Sequence, residues 1–171
     1  IRDQSIANCL IRTKTLDDPT SWRAWSGGKR FDMTFIDPYA SNDEPEAHLC
    51  KDVSNNTHID LGSGTITYNS VARQWLRVDA SDGGFYYALS PDLINWTQAR
   101  PFLSGEVPWT YQCGDEDPRL YPALIDPAST SRNFETSGST AYIYFTQFHY
   151  QNCQQTLNRD LVRVPIRIRV S

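Results

Sequence analysis

Hydrophobic and polar positions alternate along much of this chain with a period of two. In "DLVRVPIRIRV" (160–170), Val162, Val164, Ile166, Ile168 and Val170 fall on one side, with Arg163, Arg167 and Arg169 on the other. That is the pattern of a half-buried strand. "GTITYN" (64–69), "QWLRVDA" (74–80), "GFYYALS" (84–90) and "TAYIYFTQFHY" (140–150) are likewise β-branched and aromatic, each bounded by Gly, Pro, Asn, Asp or Ser. Pro165 puts the 160–170 run at a sheet edge or a bulge. No window carries a helical stripe with caps. The pattern predicts an all-β chain.

The strands recur in groups. "TLDDPTSW" (15–22) aligns with "LSPDLINW" (89–96), and the two Trp are 74 residues apart. Both segments follow an apolar strand, pass through Asp and a turn, and end on Trp. Pro91 presets a turn and Asp92 can accept nearby backbone N–H groups, so "SPDLINW" is expected to be a corner between a third and a fourth strand. Trp96 is expected to fill the space beside it. Each group then reads as antiparallel strands of a four-stranded sheet repeated about an axis, the plan of a β-propeller. A small β-sandwich of about ten strands is the alternative this length also permits.

Composition adds bounds. The chain has 171 residues, 39% hydrophobic and 21% charged, with net charge −4 and pI near 5.3, which suits a globular chain with one core. A mild acidic excess argues against nucleic acid or an anionic membrane as partner. No apolar run approaches the roughly 18 residues of a membrane span. No charged-then-apolar leader opens at Ile1, so any signal peptide is expected outside this sequence. Cys9, Cys50, Cys113 and Cys153 lack the spacing of zinc or redox motifs, leaving disulfides or core thiols. The even count, five Trp and the sequons at Asn55 and Asn95 point to a secreted or extracytoplasmic protein.

The run "FYYALSPDLINWT" (85–97) closely resembles the blade signature of five-bladed β-propellers of the glycoside hydrolase superfamily, nearest the family 43 type. That group includes arabinanases, β-xylosidases, arabinofuranosidases and invertases. "YPALIDP", "AYIYFTQFH" and "RDLVRVPIRI" look like the inner, middle and outer strands of a further blade. The resemblance implies antiparallel four-stranded blades, about two and a half of them, within a single β domain. Residues 1–36 would end one blade, 37–108 form a second and 109–171 a third. "IANCLIRT" aligns with a third strand, so the chain is expected to be a C-terminal fragment of a larger propeller, or one completed by a second chain. The implied function is that of a carbohydrate-active protein, a glycosidase or close relative acting on plant or microbial polysaccharide. A non-catalytic carbohydrate-binding or scaffold propeller is the alternative.

Glycosidases need two carboxyls flanking the scissile bond, one of them an acid with a raised pKa. The densest candidate stretch is "WTYQCGDEDPRLYPALID" (109–126). Here Glu116 and Asp117 are the candidate catalytic residues, with Trp109, Tyr111 and Arg119 as substrate-binding residues beside them. An acidic, Pro-containing loop also suits a merely solvated surface. His149, on an aromatic strand, and Asp60, before another, are further candidates for contacting substrate. The resemblance puts such a His on the propeller axis, near a cation or water; a hydrogen-bonded core His is the ordinary reading. No cofactor motif, Ser-His-Asp order or zinc spacing is present. Asp37, Asp43, Glu44, Glu46 and His48 crowd 35–48 as a candidate Ca2+ loop, without the ordered spacing of an EF-hand. Strand order sets Cys113 just before the last blade and Cys153 after its second strand. It predicts a Cys113–Cys153 disulfide, with Cys9–Cys50 as the other.

Overall fold

The computed structural model describes residues 8–37, 39–53 and 64–169. The chain is all-β, and two short 3-10 turns are the helical segments among the described residues. It divides into two compact units, residues 1–55 and 56–171. No helix among the described residues is long and apolar enough to cross a membrane.

The first unit holds a three-stranded antiparallel sheet of β1 (Ile11–Arg12), β2 (Arg23–Gly27) and β3 (Arg30–Met33), in that order. Between β1 and β2 lies the first of the two similar corners. Asp18 Oδ1 accepts the Thr20 N–H at 2.9 Å, capping a 3-10 turn over Pro19–Ser21. The Cys9–Cys50 disulfide closes this unit.

The second unit has two sheets. β4 (Thr65–Asn69), β5 (Gln74–Ser81), β6 (Gly84–Ser90) and β7 (Arg100–Ser104) form an antiparallel meander, each strand pairing with the next. The meander is the four-stranded group the repeat predicts. β8 (Arg119–Ile125), a two-residue β9 (Thr136–Ser137), β10 (Thr140–Gln151) and β11 (Gln154–Arg167) follow. β9 adds to the free edge of β4 in parallel, a pairing the period could not show, while β8, β10 and β11 make the second sheet in the order β11-β10-β8. Leu76, Val78, Ala80 and Phe85 of the meander bury against Leu124, Ala141, Ile143 and Phe145 of the second sheet. Phe85 meets Phe145 edge-on with centroids 5.4 Å apart. This alternation drives the stacking, because each strand turns one face of β-branched and aromatic side chains inward. The sheets form an open arrangement, which fits partial blades or a sandwich, and not a closed propeller.

The 90–96 stretch is a corner between β6 and β7, the third and fourth strands of the meander. Asp92 Oδ1 accepts the N–H groups of Ile94 (2.9 Å) and Asn95 (2.8 Å), and Trp96 is 7% exposed. Burial works against the Asp92 anion, but the N–H bonds from Asn95 and Ile94 prevail and hold its carboxyl below the usual carboxylate range. Asn95 of the second sequon spends its side-chain amide on Asp92 Oδ2 at 2.7 Å; the Asn55 sequon lies outside the described residues. Both expected disulfides are present, Cys113–Cys153 with a Cα separation of 4.9 Å and Cys9–Cys50 with 5.7 Å. Two disulfides and no free cysteine fit an oxidising environment.

Candidate functional site

The candidate residues of 109–126 sit where a loop runs into β8, next to the far end of the β10–β11 hairpin. The hairpin outruns β8 there, and the loop continues beside its last pairs. Phe148 N donates to Pro118 O at 2.8 Å, which carries the ladder one step past β8 and sets Asp117 beside His149. The Cys113–Cys153 bond ties loop to hairpin tip, and Tyr111 packs on Tyr150 with centroids 4.0 Å apart. Pairing slips between Phe148 and Tyr150: Phe148 faces Arg159, but Tyr150 faces Gln155. His149 lies at this bulge, its carbonyl accepting the Thr156 hydroxyl at 2.8 Å. Bulges of this kind re-aim side chains.

His149 is held at both ring nitrogens. Nδ1 lies 2.6 Å from Asp117 Oδ2 and Nε2 lies 2.9 Å from Asp160 Oδ2. Ionised carboxylates only accept, so the ring makes both bonds at once only as the imidazolium. The bond to Asp160 and then the bond to Asp117 raise the His149 pKa above its ordinary value, against a smaller opposing effect of desolvation. Asp117 is fully engaged, since its Oδ1 also accepts the Tyr150 N–H at 3.3 Å.

Arg119 opens β8. Its Nη1 donates to Ser104 O at 3.3 Å, its Nη2 lies 3.6 Å from Glu116 Oε2, and its guanidinium sits 5.7 Å from the Phe145 centroid. A Cβ at Gly105 would come within 2.7 Å of that guanidinium, so glycine there is what leaves it room. Glu116 is otherwise in solvent, with a side chain 80% exposed. Trp109 is 56% exposed, yet its indole N–H is pinned to Asp82 Oδ1 at 2.6 Å. The ring is therefore both fixed and open.

The structure thus joins Asp117 to His149 and adds Asp160, which the sequence reading did not single out. Glu116 and Asp117, adjacent in sequence, take different partners: Glu116 turns to Arg119 and solvent, Asp117 to His149. Trp109 and Tyr111 stand on the disulfide-tethered loop with separate anchors. Asp60 lies outside the described residues. In the 35–48 segment, Asp37 Oδ1 accepts the Tyr39 N–H at 2.9 Å and His48 Nε2 lies 3.6 Å from Asp43. Among the described residues no three His, Cys, Asp or Glu side chains gather to hold a metal ion.

Comparison with known proteins finds no matching family model, no matching curated protein and no matching solved structure.

Proposed function

We propose that this is an exported, carbohydrate-active β protein of the glycoside hydrolase propeller kind, whose loop 109–119 holds polysaccharide. The observation that carries the reading is Trp109. A Trp more than half exposed leaves apolar surface in water, and the Asp82 bond removes the ring freedom that would otherwise be lost on binding. A fixed, open aromatic face suits stacking on the apolar face of a sugar ring. Two disulfides support export.

Binding is favoured over cleavage by the state of the carboxylates. Asp117 has both oxygens taken up, one by the His149 ring and one by the Tyr150 N–H, which leaves neither turned to a substrate. Glu116 stands in solvent, without the apolar enclosure used by glycosidase acids. The test is affinity electrophoresis on arabinan, xylan and fructan, with reducing-end release measured alongside. The expected result is retardation by at least one polysaccharide, in the millimolar range typical of a shallow site of roughly one or two sugars, and its loss in Trp109→Ala. Retardation unchanged in Trp109→Ala would sink the role given to that ring. Turnover abolished by Glu116→Gln or Asp117→Asn would replace binding with hydrolysis.

A further inference from the structure

β11 is the edge strand of the second sheet. Its register with β10 sets Arg163 opposite Tyr144, Pro165 opposite Tyr142 and Arg167 opposite Thr140. These positions alternate with Val162, Val164 and Ile166, which pack on the core, so they share the face turned away from it. The Arg163 guanidinium lies over the Tyr142 ring, 4.9 Å from its centroid, and donates through Nη1 to the Tyr144 hydroxyl at 3.4 Å. Neither Arg163 nor Arg167 has a carboxylate within ion-pair distance among the described residues. The neighbouring acid, Asp126, is only 6% exposed and gives its oxygens to the N–H groups of Ala128 (2.8 Å) and Gly138 (2.7 Å). A groove of about 790 Å³ runs between these groups, lined by Arg163, Arg167, Tyr142, Thr140 and Asp126.

On a chain of net charge −4, this face reverses the local sign. An arginine stacked on a tyrosine is already oriented, and its remaining N–H edge suits a carboxylate bidentately. Four strand positions span about 13 Å, too far apart for one compact anion to bridge, but suited to successive charges on an extended chain. We propose that this groove binds the uronate carboxylates of an acidic polysaccharide, laid along β11 with Arg163 and Arg167 each taking one. The assignment rests on the carbohydrate reading above and names the class of sugar.

The test uses the full chain and two probes with one backbone: polygalacturonate and its fully methyl-esterified form, which lacks the charge. Calorimetric titration should show the acid form binding about tenfold tighter, since two exposed charge-assisted contacts are each worth a few-fold. Added salt should erode that advantage. Arg163→Gln/Arg167→Gln should abolish it while leaving affinity for neutral arabinan unchanged. Arg167→Gln alone, which breaks no hydrogen bond or ring contact seen within the sheet, should halve the effect without loss of Tm. Equal affinity for the two forms, or an acid preference that survives the double variant, overturns the groove assignment and leaves Trp109-borne binding intact. No binding of any polysaccharide, neutral or acidic, overturns both. A concentration-dependent dimer dissolved by Arg163→Glu would give the face to a second copy and overturn it as well.

Discussion

Arg77 and Asp79 stand two apart on β5 and form a buried ion pair, Nη2 to Oδ2 at 2.7 Å, with side chains only 2% and 3% exposed. They point away from the face that carries Leu76, Val78 and Ala80. Desolvation lowers the Arg77 pKa more than the charge and hydrogen bond of Asp79 raise it. Nη1 of the same guanidinium is buried with no hydrogen-bond partner among the described residues. At an effective dielectric of about 20, two charges this close attract by about 6 kcal/mol, while burial costs several kcal/mol per ion. The pair is thus close to break-even as a whole but expensive to split. Arg77→Met should cost about 3–5 kcal/mol, because it removes one partner of a buried ion pair. Asp79→Asn should cost a similar amount. The double variant Arg77→Met/Asp79→Asn should lose about 2 kcal/mol less than the two singles combined. Urea unfolding of the four proteins, with slopes checked for equality, measures all of this. Singles below about 1 kcal/mol that simply add would refute a coupled buried pair.

The His149 cluster predicts a pH dependence of defined sign. Its folded pKa lies above the ordinary value of about 6.5, so its stabilisation is full below that value and is lost as pH rises through the raised one. The Tm advantage of the native chain over His149→Gln should therefore fall with rising pH, and an advantage that grows with pH would contradict the imidazolium. Cys113→Ser/Cys153→Ser frees a loop closed over a sequence separation of 40. Chain entropy puts the loss at about 4 kcal/mol, and a change in denaturation midpoint worth less than about 1 kcal/mol would show that the loop 105–118 is held by its other contacts.

The fold was legible where burial is one-sided. β4, β5, β6 and β10 lie within a residue of their sequence-predicted spans because alternation, aromatic content and flanking turn residues agree there. The corner at 90–96 was legible for the same reason: Pro91 and Asp92 carry their turn chemistry with them. β11 begins six residues earlier than the period suggests, at Gln154. Its first six residues are mostly polar and, Thr156 aside, exposed, so pairing with β10 makes them a strand and no hydrophobic pattern announces it. β9 is invisible for a similar reason, being two residues recruited by the free edge of β4. β3 is short and follows Gly27 and Gly28, whose backbones at φ +99° and +55° turn the chain back on β2.

The site was half legible, and the missing half changes its chemistry. Asp117 stood out from local acidity and His149 from its rarity, but nothing local couples them: they are 32 positions apart, and β8 pairing with β10 is what brings them together. Asp160 was hidden by arithmetic. Counting back from a tight hairpin at 152–153 in perfect register would set 156 opposite 149, and the bulge between Phe148 and Tyr150 is what slides Asp160 within 2.9 Å of Nε2. With Asp160 present, both ring nitrogens of His149 face carboxylates, an arrangement that favours the protonated ring over a neutral acceptor. Asp117 is likewise committed, to the ring and to the Tyr150 N–H. A dense run of carboxylates in a sequence suggests acids and bases waiting for substrate. Here Asp117 instead bonds His149, which Asp160 also engages, and so ties the loop to the hairpin. What is left open to a ligand on that loop is aromatic: Trp109, fixed at its nitrogen and free on its face.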